Sequence, residues 1–459
     1  MKAAAWVRLV RLVTEEATLF ASLLKWTALA AAVGVLAGSA TALFLAILTR
    51  AADYMEQVPA RLVWVPFGFL AAYLLVRFLA PEAQGHGTDK VIEAVHRRWG
   101  RIPLLVAPVK LLATVCTIAV GGSVGKEGPA AQIGAALASG LASFLRLSRR
   151  DRRKLVICGI GAGFATVFGT PIAGAVFGLE VLVLGTLMYD VLYPSFVAGI
   201  VGYQTASRLG VRYFQQALYD IPHPTEGIFF KTVAAGIVFG LVSLLLIESL
   251  RVVHWLARRL PVPGWVVAFG GGSLVAGLAW LTSDRYLGLG IPTLEASIRG
   301  AWVPTNAALL KIVFTAISLG TGGSGGIVTP IFFIGATSGS TLGRLLGFDT
   351  GTFAAIGMVS VLAGATNTPL AASIMAIELF GPAVAPFAAI SCIVSFLMAG
   401  HRSVYPSQIL GMAKTRSIRV PSGGEVGDLV GLKTRRLRLR RLVVIGKALR
   451  RVGARLRIW

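Results

Sequence analysis

Residues 122–135 read GSVGKEGPAAQIGA, and residues 323–336 read GSGGIVTPIFFIGA. At an offset of 201 they share Gly122/Gly323, Ser123/Ser324, Gly125/Gly326, Pro129/Pro330, Ile133/Ile334, Gly134/Gly335 and Ala135/Ala336. A second pair follows in the same order. TPIAGAVFGLE at 170–180 matches TPLAASIMAIE at 368–378, at an offset of 198. Two ordered matches at nearly one offset imply two homologous halves. Such internal repeats are a signature of transporters, whose substrate site lies between the halves near mid-membrane.

Outward from these motifs, long apolar runs recur from Ala17 to about Gly400. Several are shorter than the ~20 residues a helix needs to cross a bilayer, and several are cut by Gly and Pro. Gly34 and Gly38, among 54 glycines, are spaced for close helix approach. Over the whole chain 55% of residues are hydrophobic and 14% charged, where a soluble chain carries about 25% charged. These proportions exclude a soluble enzyme, a disordered chain and a nucleic-acid-binding domain with a polar surface. The expected fold is an all-α polytopic membrane protein. Its segments are an interfacial helix on the cytoplasmic face (1–16), a first transmembrane repeat (17–209), a polar linker (210–227), a second transmembrane repeat (228–412) and a basic cytoplasmic tail (413–459). The apolar run behind residue 16 is far longer than the ~7–15 residues of a signal-peptide core, so no cleavable signal is read here.

The net charge of +24 is unevenly placed. Residues 414–459 hold 14 Lys or Arg against Glu425 and Asp428. The positive-inside rule puts this tail in the cytoplasm, where anionic lipid headgroups are its natural contact. KTRRLRLRRLVVIGKALRRVGARLRIW, 433–459, reads as a basic amphipathic helix on the membrane surface. Arg97, Arg98 and Arg101 form one further basic cluster. Arg146, Arg149, Arg150, Arg152, Arg153 and Lys154 form another, and both read as cytoplasmic loops. Cys116, Cys158 and Cys392 lie in apolar stretches with wide spacing, which suggests free thiols rather than disulfides or a metal site. No nucleotide, cofactor or metal motif is present. GGSVG at 121–125 and GGSGG at 322–326 formally match a nucleophile elbow, but no strand pattern surrounds them. An intramembrane serine hydrolase on Ser123 is therefore the remote alternative from another class.

The motif chemistry points to an anion. Gly125 and Gly128 let the backbone turn, and Pro129 suits a first helical turn. The result is a helix N-terminus with unpaired N–H donors and the positive end of the dipole, which binds anions. GGIVTP at 325–330 offers the same from the other half. Glu127 sits within the first of these termini. An ionisable residue at membrane depth is a functional hypothesis by default. Its carboxylate can occupy the place of a substrate anion and leave when protonated, acting as a gate and proton carrier. A simple helix cap is the other reading; the matching position, Val328, is not acidic, which favours the gate.

GKEGP at 125–129, GGIVTP at 325–330 and the repeated segments ending at Glu180 and Glu378 resemble the CLC chloride channel and transporter family over about residues 17–412. The resemblance implies two inverted-topology repeats of tilted and broken helices, a homodimer, and one anion pathway per subunit. It implies that Glu127 is the gating glutamate. The N–H groups around Gly125, Lys126 and Gly128 would line an outer anion site, and those of Ile327 and Val328 a central one. Tyr405 would close the inner side. Two departures stand out. GHGTD at 85–89 replaces the family's usual GSGIP, so His86 takes the place of the anion-contacting serine. Val181 stands where exchangers of the family carry an inner proton-relaying glutamate. Only about 45 residues follow the last helix, too few for the paired CBS domains of many relatives. The implied function is transport of chloride, or a similar small anion, across a membrane, with proton coupling open. A fluoride-selective exporter is the close alternative. The absence of large appended domains points to a bacterial inner membrane, with both termini cytoplasmic.

Overall fold

Nothing between Lys2 and Gln57 stops a helix: there is no proline, and Pro59 falls just beyond the end. In the computed structural model, which describes residues 2–214, 218, 226–415, 418–419, 423–428 and 433–434, this stretch is one continuous helix. The surface helix expected over 1–16 is therefore not a separate element. Most of the tail, including the expected amphipathic helix from residue 435 onward, lies outside the described residues, as does most of the linker.

Sixteen α-helices occur among the described residues, eight in each half. The first half holds α1 (Lys2–Gln57), α2 (Val65–Leu79), α3 (Thr88–Arg97), α4 (Val106–Ala119), α5 (Glu127–Phe144), α6 (Arg149–Phe168), α7 (Pro171–Glu180) and α8 (Tyr189–Arg208). The second repeats them as α9 (Glu226–Arg259), α10 (Gly264–Leu281), α11 (Ile291–Ile298), α12 (Ala307–Gly320), α13 (Val328–Leu346), α14 (Thr350–Thr366), α15 (Pro369–Phe380) and α16 (Ala385–Met398). Four helices among the described residues are long and apolar enough to cross a bilayer; the others are shorter or less apolar, as the broken runs predicted.

The repeat is carried in the hydrogen bonding as well as the helix order. Ser148 caps α6 by accepting from the Asp151 N–H at 3.1 Å, and Asp349 caps α14 by accepting from the Thr352 N–H at 2.6 Å. Lys110 donates to the carbonyls of Ala83 (3.0 Å) and Gly85 (2.6 Å). Its counterpart Lys311 donates to those of Tyr286 (3.0 Å) and Gly288 (2.8 Å). Both lysines are fully buried and clamp the loop after a short 3-10 turn. Gly34 and Gly38 lie against the α8 backbone at Ala198 and Gly202, the close approach their spacing predicts.

The two halves grip each other through their acids. Glu180, the last residue of α7, accepts from the N–H groups of Leu370 (3.0 Å) and Ala371 (2.8 Å) in the first turn of α15. Glu378, near the end of α15, accepts from Ile172 (3.0 Å) and Ala173 (2.8 Å) in the first turn of α7. An acid at its own helix C-terminus is unfavourable; here each one finds the positive end of the antiparallel partner. Beyond these helices, β1 (Val183–Leu184) pairs in parallel with β2 (Ile409–Leu410), Val183 opposite Ile409. That pairing draws the segment after α16 back under the first half. Glu180→Ala should lose about 1–3 kcal/mol, and Glu378→Ala a similar or smaller amount because it is more exposed. Both should appear as lower midpoints of thermal unfolding in detergent; an unchanged midpoint for Glu180→Ala would contradict the cross-capping account.

Candidate anion site

Two helix N-termini meet where the repeats cross. Gly125 and Gly326 form an antiparallel bridge in which each N–H donates to the other's carbonyl at 2.6 Å. Side chains from α4 and α12 brace the turns that lead into it. The Ser123 N–H donates to Ser318 Oγ at 3.1 Å, and the Ser324 N–H to Thr117 Oγ1 at 3.0 Å. One residue after each bridge glycine comes an N-cap, Lys126 for α5 and Ile327 for α13. Neither of these side chains satisfies the first-turn donors behind it.

Glu127 supplies what α13 lacks. It opens α5 and is fully buried. One carboxylate oxygen accepts from the Thr329 N–H at 3.1 Å, and the other accepts from the Thr329 hydroxyl. The backbone N–H groups of Lys126 and of Glu127 itself also face the carboxylate. A carboxylate thus rests on the positive end of a helix from the opposite repeat, held by charge-assisted hydrogen bonds. A helix N-terminus of this kind is a general anion-binding position.

The other expected residues arrange themselves around this point with one exception. Ile327 and Val328 are buried at the N-cap and first position of α13, and their N–H groups make no hydrogen bond with a described residue. Gly128 lets the His86 loop close in: a Cβ there would overlap the His86 carbonyl oxygen. Gly85 and Gly87 flank His86 with φ of 76° and 82°, which turns this loop toward α5. The His86 ring is half-buried and faces the Val404 backbone. Tyr405 is fully buried, and no hydrogen bond of normal geometry joins its hydroxyl to a described residue. It lies near Thr88 and within electrostatic range of Glu127. Lys126 is half-buried and makes no ion pair with a described residue. Gly125 is the exception. Its N–H is committed to Gly326, so it braces the site and is not a free donor to an anion.

Val181 is buried just past α7, and its carbonyl accepts from Gln408 Nε2 at 2.9 Å. No hydrogen bond joins it to Glu127. Ser123, the residue of the formal elbow motif, is buried with its hydroxyl 3.1 Å from Thr315 Oγ1. Thr329 and the Lys110/Lys311 pair carry weight that the motif reading did not assign. Thr329 lay inside the quoted GGIVTP, and the lysines sit at the same offset of 201 as the motifs.

A family model described as "Voltage gated chloride channel" matches residues 67–400. The chain belongs to the CLC family. A "Chloride/fluoride channel protein" of Pseudomonas syringae pv. tomato is 42% identical over 87% of this chain and 90% of its own length. A "Voltage-gated ClC-type chloride channel ClcB" of Salmonella typhimurium is 30% identical over 75% of this chain and 86% of its own. Among solved structures, a CLC-type fluoride/proton antiporter superposes with a TM-score of 0.81 at 32% identity, covering 84% of this chain and 98% of that one. A slow cyanobacterial Cl-/H+ antiporter superposes at 0.72 and 20% identity, covering 83% and 96%, a likeness of fold alone. CLC membership makes this an integral membrane protein of anion transport, with the two inverted repeats that the resemblance implied. Gly128→Ala should push the His86 loop away from α5. It should cost about 1–3 kcal/mol through overpacking, read as a lower unfolding midpoint, whereas a neutral result would show that the loop moves freely.

Proposed function

We propose that this CLC protein moves a small halide across the membrane through a pathway gated by Glu127. The observation that carries the reading is the seat of the Glu127 carboxylate on the Thr329 N–H at the head of α13. A carboxylate and a halide compete for the same donors. Protonation removes the charge that holds the carboxylate there, so the gate opens as pH falls. Backbone N–H groups bind the anion without the full charge of a lysine or arginine, which keeps release fast. The donors at Ile327 and Val328, the Tyr405 hydroxyl and His86 extend the path inward; Lys126 and Gly128 flank its outer end.

Chloride is the substrate of the first reading. Fluoride is the second, favoured by two relatives: the 42% identical protein is named for both ions, and the 32% identical neighbour is a fluoride/proton antiporter. Val181 in place of an inner acid argues that any coupled proton enters from the inside by water or His86. Transport is the activity assigned, on the strength of CLC membership; the Ser123 hydroxyl of the elbow motif is paired with Thr315. The chain works as a homodimer with a pathway in each subunit, its termini on the cytoplasmic side of a bacterial inner membrane, its basic tail against anionic headgroups.

Flux from proteoliposomes tests this directly, with chloride or fluoride and pH recorded together. Wild-type efflux should rise as pH falls, and Glu127→Ala should be fast and flat with pH. A pH dependence surviving in Glu127→Ala would remove the gate assignment. The preferred ion is the one released faster at equal gradients. Uphill proton movement driven by it, lost in Glu127→Ala, identifies an exchanger. Thr329→Val keeps the N–H and loses the hydroxyl, so it should weaken the closed state by about 1–2 kcal/mol and speed neutral-pH efflux several-fold. Unchanged efflux in that variant would mean that the Thr329 bond does not hold the gate shut.

A further inference from the structure

Two basic clusters that are about fifty residues apart in sequence come together in the fold. Arg98, Trp99, Arg101 and Pro103, from the turn after α3, face Arg149 and Arg152 on the first turn of α6. Together they line an open cleft of about 420 Å³. Trp99 adopts a left-handed backbone (φ 52°), and Gly100 follows at 73°; this tight turn aims the loop across at α6. Gly100 packs against the α6 backbone at Arg153 and on Val156.

The charge in this cleft is largely unanswered. Arg98 pairs with Glu82 at 3.7 Å, and Glu93 stands within electrostatic range of it. Arg101, Arg149 and Arg152 form no ion pair with a described residue. The neighbouring acid Asp151 is taken by Lys25 at 2.8 Å, and Asp190 by Lys154 at 2.7 Å. The Nε atoms of Arg98 and Arg152 are buried without a hydrogen-bond partner among the described residues, and so is that of Arg153 beside them. Like charges gathered this closely repel unless an anion sits between them.

We propose that this cleft binds a phosphate-bearing ligand at the cytoplasmic membrane surface, with the guanidinium groups of Arg98, Arg101, Arg149 and Arg152 on the phosphate oxygens. Arginine forks match that geometry and favour two-point contact. The rim chooses the source. Leu104 and Leu105, which follow Pro103, and Phe144 at the end of α5 are exposed apolar side chains, 56%, 53% and 84% accessible; Leu104 packs beside Gly140 of α5. The three exposed side chains are three to five residues from the nearest arginines of the cleft. A headgroup in the cleft would lay its acyl chains along them, as basic pockets between helices hold anionic lipids. The exposed face of Trp99 would cover the headgroup. A bound phosphate would also tie the C-terminal end of α3 to α6, and the N-terminal end of α3 is the His86 loop of the anion site.

Native mass spectrometry of the full chain in detergent tests the site. The probes are short-chain phosphatidylglycerol, phosphatidylcholine of equal chain length, inorganic phosphate and ATP. The comparison is wild type against Arg101→Gln/Arg149→Gln, two exposed side chains outside the anion pathway. Phosphatidylglycerol should bind wild type about tenfold more tightly than the double variant, with no such difference for phosphatidylcholine. Quenching of Trp99 by a brominated phosphatidylglycerol, lost in Trp99→Phe, places the lipid in the cleft independently of the charge change. Phosphate or ATP showing the variant dependence in place of the lipid would keep the phosphate site and make its ligand a soluble one. Equal affinity of both proteins for every phosphate-bearing probe, with both eluting as the same folded species, would overturn the proposal.

Discussion

The reciprocal backbone pair between Gly125 and Gly326 is the constraint on which the rest of this structure depends. Each residue gives its N–H and its carbonyl to the other at 2.6 Å. Only residues without side chains let two chains cross this closely and then diverge into helices at once. The cross fixes α5 and α13 head to head. Because its own polar groups are consumed, what remains to bind charge is the amides one to three residues further on. Glu127 and Thr329 sit at that distance, one on each side of the cross.

The same symmetry explains how the protein keeps ionised groups away from water. A buried charge left unpaired is costly. The repeats answer this with peptide dipoles rather than opposite charges. Lys110 and Lys311 each meet two carbonyls, and Glu180 and Glu378 each meet two N–H groups at the head of the partner helix. Glu127 follows that rule on one side only, since its counterpart is Val328. The structural acids come in symmetric pairs, whereas the one at the crossing stands alone. That asymmetry is what supports the proposal of Glu127 as a movable gate, against acids that hold the fold.

Much of this was legible in the residues. The paired motifs at offsets of 201 and 198 carried the two halves, and Gly-rich segments before apolar runs carried the two N-termini. Glu127 stood out as an acid where the repeat does not need one. Other features were hidden for physical reasons. Residues 1–16 looked like a surface helix from their charges, yet without a proline or a cap the helix simply continues into the membrane. Gly125 looked like an anion donor because its conformation suits one; that its N–H is spent on Gly326 is a fact of the crossing, which no linear motif records. Thr329 stands between a valine and a proline, and nothing in that linear context marks it as the partner of Glu127. The arginine clusters read as two separate loops, and only the packing of the α3 turn on α6 makes them one cleft.

Bromide soaked into crystals, located by its anomalous scattering, tests the central claim most directly. If Glu127 and a transported anion share one seat, Glu127→Ala should show bromide within hydrogen-bonding distance of the Thr329 N–H. Wild type at neutral pH should show the carboxylate there instead. A Glu127→Ala crystal with no bromide at the head of α13, or a wild-type crystal holding both carboxylate and bromide at that amide, would contradict the account.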